Sequence, residues 1–212
     1  MDYFTSSNIP ALFERFSLVF AEQKEALIEL DSKVGDSDLG LTMAKGFAAA
    51  AAAVLELENA DIETQFKTAG VAIARAAPST MGTLMATGFM RGSGVTKGCE
   101  TLGTVKLAEF WVAFRDGVAQ RGRVQLGDKT VVDVLHPIAE TMMIQAKTDT
   151  ALPDALNSAY VSAVEALEVT KGLVAQHGKA AAFQEKSRGV QDAGSTVAVI
   201  LVKTMADFIC EV

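Results

Sequence analysis

Cysteine, proline, histidine and basic residues are all scarce in this chain. Two cysteines, Cys99 and Cys210, stand far apart in 212 residues and match no metal-ligand or redox spacing. They read as ordinary intracellular thiols, and a disulfide framework is not expected. Four prolines and few aromatics leave no linker from which a second domain begins. One domain over residues 1–212, large enough for a substantial core, is the expectation. Long Val/Ile/Thr alternations are also missing, while alanine and leucine abound, so the composition leans to an all-α fold. Lys and Arg number 19 against 26 Asp and Glu, and the net charge of −7 argues against nucleic acid as the main partner. A polyphosphate would need metal or local cations to approach such a surface. The longest apolar runs, 47–55 and 197–202, are too short to span a bilayer. No positively charged apolar leader opens the sequence, so a soluble cytoplasmic protein with no membrane partner is expected. His136 lies beside Pro137 and His177 precedes Gly178, neither with an acidic or nucleophilic companion in sequence. Both read as structural or solvated.

Against those absences, helical periodicity runs through most of the chain. Phe13, Phe16, Val19 and Phe20 recur at helical spacing in a first helix over 8–30, with Pro10 near its start, where a missing donor is harmless. Alanine-rich 41–57 is the second, and 61–76, with Ile62, Phe66, Ala69 and Ile73 on one face, the third. The fourth covers 81–91 and the fifth 104–121, carrying Leu107, Phe110, Trp111 and Phe114. The sixth covers 131–147, bent or offset by Pro137, and the seventh 153–175; 179–192 reads as irregular, and the eighth helix covers 193–210. Eight helices with mostly short connections favour an antiparallel up-and-down barrel or bundle.

That topology places alternate connections at one end. The four that share an end are the chemically odd ones: 30–40, with Asp31, Asp36 and Asp38; Ala77-Pro78-Ser79-Thr80; Gly127-Asp128-Lys129-Thr130; and 187–195. The opposite connections, around Asn59, Gly98 and Thr150, read as ordinary turns. Three acids converging in a glycine-flanked loop repel one another unless a cation sits among them, and Asp oxygens suit Mg²⁺. The plainer reading is a solvated acidic turn that caps the next helix. The EF-hand spacing is absent, and Gly-Asp-Lys-Thr lacks the Walker A spacing. Ser79, Thr80 and the amides of the fourth helix offer donors to a phosphate. Lys129 either contacts phosphate or pairs with Asp128 or a helix end. Arg188 contacts phosphate or a partner, or stays solvated. Asp192 with Gly194 lines a nucleotide or caps the eighth helix.

These blocks together resemble the nucleotide-binding L subunit, or L domain, of the dihydroxyacetone kinases. The resemblance rests on Leu30-Asp31 through Gly40-Leu41-Thr42-Met43 with Lys45-Gly46, on Gly127 to Thr130 with Asp133, and on Arg188-Gly189 with 191–196, in that order. It implies an antiparallel helical barrel with ATP or ADP at one rim and Mg²⁺ on Asp31, Asp36 and Asp38. It further implies a partner K subunit that holds a short ketose, and in some members a phosphotransferase-system protein that recharges bound ADP. The phosphoryl group would pass to a primary hydroxyl of dihydroxyacetone or a similar ketose such as a tetrulose. Two departures touch the phosphate grip. Leu39 stands where the family's G-D-x-D-H-G has histidine, and 78–83 replaces a G-G-A-S-G run. The alternative is therefore a non-catalytic nucleotide-sensing or regulatory module built on the same fold.

Overall fold

Pro10 occupies the first turn of helix α1 (Ile9–Glu22), which buries Ile9, Leu12, Phe13, Phe16 and Phe20 on one stripe. The computed structural model describes residues 2–211. The expected first helix is divided: α2 (Lys24–Ser32) follows α1 after Gln23, whose N–H bonds back to Val19 O. Past that point the sequence turns charged and Leu27 alone is buried, so α2 lies along the next helix with a narrow apolar contact. The others are α3 (Leu39–Leu55), α4 (Ile62–Ala76), α5 (Thr80–Val95), α6 (Thr104–Gly122), α7 (Val132–Lys147), α8 (Leu152–Thr170) and α9 (Ala193–Glu211). Pro137 lies inside α7, not at its start. The stretch read as irregular holds 3-10 turns over Lys179–Ser187. Two short strands, β1 (Phe4–Thr5) and β2 (Thr101–Leu102), pair antiparallel and are too brief to leave a periodic trace in the sequence.

The helices form a closed ring. α1 packs on α3, each helix from α3 onward packs on its successor, and α9 returns to α1. Its N-terminal half is filled by aromatic rings: Phe20 stacks on Phe47 at 4.4 Å between centroids, and Phe89 meets Phe13, Phe47, Phe66, Phe110 and Phe114. Each such ring withdrawn from water stabilises the fold by roughly 1.5–3 kcal/mol. Glycines in α5 make room for them, since a Cβ at Gly88 or Gly92 would lie 2.4 Å from the ring of Phe114 or Phe110. The C-terminal half is packed with aliphatic and small residues, among them Leu135, Ile138, Ala155, Ala159, Ala198 and Leu201. α9 is, by length and composition, apolar enough to cross a membrane, but 56% of that span is buried within the protein. It serves here as a core helix.

Because successive helices reverse direction, α3, α5, α7 and α9 all begin at the same end of the ring. Their four preceding connections meet around a single cleft there, as the alternation of the chain implies.

Candidate functional site

The acidic segment is held largely by one of its own carboxylates. Asp31 belongs to the last turn of α2, Asp36 to the loop, and Asp38 to the position just before α3. Asp31 Oδ2 accepts the N–H of Asp38 at 3.0 Å and of Leu39 at 3.3 Å, folding the loop back over α2. Gly35 is required by space: a Cβ there would sit 2.0 Å from Asp31 Oδ1. Gly40 allows α3 to approach the Lys24 carbonyl equally closely, a Cβ falling 2.1 Å from that oxygen.

The result brings one oxygen from each of Asp31, Asp36 and Asp38 within 4.8 Å of one another. Burial first, then the neighbouring charges of Asp36 and Asp31, push the Asp38 carboxyl above its ordinary range, with Lys179 opposing. Lys179 Nζ lies 3.2 Å from Asp36 Oδ2 and is the cation bridging this loop to the α8–α9 connection. An all-oxygen, solvent-reachable triad with mutual repulsion is the donor set a hard divalent cation such as Mg²⁺ prefers.

Facing the triad is the start of α5. Ser79 caps it, its Oγ accepting the Gly82 N–H at 3.0 Å, while Thr80 stands exposed in the first turn. A Cβ at Gly82 would lie 2.0 Å from Ala77 O, so the preceding turn folds tightly under the helix. The free amides of such a terminus, with the positive end of the helix dipole, attract an anionic oxygen.

The third connection is fixed by two aspartates. Asp133 accepts the N–H groups of Gly127 at 2.6 Å and Thr130 at 2.7 Å, while Asp128 accepts that of Gln125 at 2.8 Å. Asp128 also pairs with His177 Nε2 at 3.1 Å, fastening this loop to the next. Lys129 is almost wholly buried. Its ammonium donates to three backbone carbonyls, Leu173 (3.1 Å), Ser187 (2.6 Å) and Val190 (2.8 Å). Burial, mainly, lowers its pKa, with Asp192 opposing.

The fourth connection, 171–192, is therefore pinned from outside itself. Arg188 points along it, bonding Glu185 and the Gly172 carbonyl. Asp192 caps α9, accepting the Ser195 N–H at 2.6 Å, and burial of its carboxyl drives the pKa up against that bond. Asp192 is partly exposed and borders the cleft. Gly194 lets α9 start against Asp192 and Val131, 3.3 and 3.8 Å from a notional Cβ.

Together these segments enclose a cleft of about 410 Å³, lined by the acid triad, Ser79, Thr80, Lys129, His177, Lys179, Asp192 and Gly194, with apolar surface from Leu39, Met81, Leu84, Val124 and Val131. That is the size and mixed character of a small-ligand pocket. Eight of the ten residues singled out in the sequence line it. Gly127 instead supports the loop through Asp133, and Arg188 turns toward Glu185 and Gly172. His177 and Lys179, which the sequence left unremarked or read as inert, line it too. Their place depends on partners at Asp128 and Asp36, distant in sequence, and no local signal marks them.

Comparison with known proteins gives a consistent picture. A family model described as the DAK2 domain matches residues 33–207. The chain is 30% identical over 188 residues to the PEP-dependent dihydroxyacetone kinase, ADP-binding subunit DhaL, of Escherichia coli, covering 89% of this chain and 90% of that one. It is 31% identical over 184 residues to the ADP-binding subunit DhaL of PEP-dependent dihydroxyacetone kinase 1 from Listeria innocua, covering 87% of each. L-erythrulose 1-kinase of Mycolicibacterium smegmatis is 32% identical over 202 residues, spanning 94% of this chain and 35% of the relative. The solved dihydroxyacetone kinase from C. freundii in complex with AMP-PNP and Mg²⁺ superposes with a TM-score of 0.73 at 21% identity, over 95% of this chain and 34% of that one. The last likeness establishes a shared all-helical fold.

Proposed function

The chain belongs to the DAK2-domain family, and from that premise we propose that it is the nucleotide-binding, phosphoryl-donating subunit of a two-component ketose kinase. A magnesium–nucleotide complex occupies the cleft, and the phosphoryl group passes to a primary hydroxyl of dihydroxyacetone or a similar short ketose held by a partner K subunit. The observation that carries this reading is the placement of the acid triad opposite the start of α5 across one cleft. Asp31, Asp36 and Asp38 would hold Mg²⁺, which when bound draws charge from the phosphate oxygens. Ser79, Thr80 and the first amides of α5 orient the phosphates from the other side. Leu84, Met81 and Val124 give the base an apolar seat. Lys129 acts by holding the α8–α9 connection in place, its ammonium being taken up by carbonyls. The protein thus contributes position and charge, with no covalent intermediate.

Relatives of matching length are ADP-binding subunits named PEP-dependent, which supports ADP as the resident nucleotide, recharged by a phosphotransferase-system protein. The acidic net charge supports neither a nucleic-acid partner nor an anionic membrane surface, and a cytoplasmic site of action follows from the substrates proposed.

Calorimetric titration of ADP and ATP, with and without Mg²⁺, into protein first checked for co-purified nucleotide, tests the proposal. Tight Mg²⁺-dependent binding that disappears in Asp36→Asn/Asp38→Asn is the expected result. Turnover of dihydroxyacetone is expected only when a K subunit is added. Nucleotide-free protein that binds neither nucleotide would overturn the reading. Leu39, buried at the place of the family's histidine, is the reason such a result would favour a regulatory module.

A further inference from the structure

A second hollow lies beside the cleft, on the other side of α5 and α6. Thr87, Arg91, Gly117, Gln120, Arg121 and Arg123 border an open hollow of about 300 Å³, with Arg91, Gln120, Arg121 and Arg123 exposed to solvent. The end of α6 and the two residues after it form the shared wall: Gly122 and Val124 line the cleft, while Arg121 and Arg123 line the hollow. On α5, Leu84 lines the first space and Thr87, one turn later, the second.

The charge here is out of keeping with the rest of the molecule. In a chain of net charge −7, three arginines border one small space. Arg15, Arg115 and Arg188 each pair with a carboxylate, yet among the described residues no carboxylate lies within ion-pair reach of Arg91, Arg121 or Arg123. Arg91 is pre-positioned. Its stem crosses Gly117, where a Cβ would fall 2.5 Å from Arg91 Cγ, and its Nη2 donates to Gln120 Oε1 at 3.0 Å. That bond uses the amide oxygen of Gln120 and leaves its NH₂ free to donate. Arg123 ends α6 in a left-handed conformation, φ +53°, its own N–H bonded to Ala119 O, so its backbone position is set by the helix terminus.

Part of this basic character complements the negative end of the α6 dipole. One cation suffices for that, and three arginines around a common space do not follow from it. The lining offers guanidinium forks and an amide donor, and no carboxylate, which disfavours a cation and suits an oxyanion. The volume takes a small molecule, and three cations match a doubly charged group better than a single carboxylate.

We propose that this hollow is a binding site for a phosphate-class anion, inorganic phosphate or the phosphate of a small phosphomonoester, separate from the nucleotide cleft. Arg91, Arg121 and Arg123 supply the charge and Gln120 a further donor. The proposal stands independently of the kinase reading, since it uses none of the cleft residues.

The test is a titration of inorganic phosphate into the full chain at constant ionic strength, followed by NMR. It is run once on free protein and once with Mg²⁺ and AMP-PNP added, so that every phosphate position of the cleft is filled if the cleft binds nucleotide. The expected result is saturable shifts of the Gly117 amide and the Arg91, Arg121 and Arg123 Nε–H signals in both samples. Arg91→Gln/Arg123→Gln should weaken the apparent affinity at least tenfold while leaving the backbone spectrum dispersed as in the parent. The dibasic ester glycerol phosphate, titrated in the same way, separates a metabolite site from one for free phosphate. Shifts that never saturate, that chloride reproduces, or that survive the double substitution would overturn the proposal. So would saturable shifts confined to Asp38, Thr80 and Gly82 and abolished by AMP-PNP. Failure of AMP-PNP to bind would count against the kinase reading alone, because the free-protein arm still reports on the arginines.

Discussion

The two loops that face each other across the cleft are ordered by different means. The acid loop, 33–38, is short and supports itself: one carboxylate of α2 gathers the amides of Asp38 and Leu39, and Gly35 leaves space for that carboxylate. The α8–α9 connection, 171–192, is long and depends on a cation from elsewhere, the ammonium of Lys129, which ties together carbonyls at 173, 187 and 190. The first arrangement places charges close together; the second hangs a large wall on a buried ammonium, with His177 on Asp128 and Lys179 on Asp36 as outer ties. A site built this way has one side, proposed above to hold the metal, that is ordered from within, and another ordered through anchors elsewhere in the fold.

Breaking the second anchor should have the largest effect. Lys129→Met leaves three inward carbonyls without their donor and should destabilise the protein by about 3 kcal/mol. Hydrogen exchange should show 171–192 losing protection while 33–38 keeps its own. Next, Gly35→Ala forces the Asp31 carboxylate aside and should cost roughly 1–3 kcal/mol. Here the exchange pattern should reverse, with the acid loop loosened, the long connection intact and Mg²⁺ affinity reduced. Ser187→Ala removes a buried hydroxyl that accepts the Ala175 N–H at 3.0 Å and donates to Gln184 O at 2.6 Å. Chemical denaturation should report a loss of about 1–2 kcal/mol from the long connection alone.

The pH dependence sharpens the contrast further. Asp38 and Asp192 both have raised folded-state pKa values, so the native state holds more protons than the unfolded chain between the ordinary carboxylate pKa and the raised one. Stability of metal-free protein should therefore fall as pH rises through that interval, and Asp38→Asn should flatten part of the slope in melts across mildly acidic pH. Lys179→Ala is the smallest change expected. As an exposed ion pair it should alter stability by no more than about 0.5 kcal/mol. Its removal should tighten Mg²⁺ binding several-fold, because a positive charge leaves the triad, and calorimetry would read that directly.

Much of this was legible from residue order alone, and the reasons differ by element. The helices announce themselves because Phe13, Phe16 and Phe20, or Ile62, Phe66 and Ile73, repeat at the period of a buried face. The gathering of four loops at one rim follows from counting reversals of direction. The break at Gln23 was hidden, since neither glycine nor proline marks it and the apolar stripe simply narrows. The side-chain roles of Lys129, His177 and Arg188 were not readable, because each is decided by its setting in space. Lys129 finds its carbonyls 44 to 61 positions away, and His177 finds Asp128 across 49. Sequence spacing shows which charges are near in the chain; burial decides which are consumed by structure.

The closure of the ring by α9 against α1 has a consequence in time. Phe4 stacks on Phe208, Arg15 pairs with Glu211, and Ser195 at the start of α9 donates to Thr130 O. The first two contacts join opposite ends of the described chain and the third reaches back 65 residues, the kind of long-range pairing that forms late in folding. During synthesis the acid loop and the α5 terminus are made long before the helix that completes the cleft beside them. The cleft is thus completed only when α9 docks, and a nascent chain halted short of α9 has the aspartates without Asp192, Ala193 and Gly194 to border the space beside them.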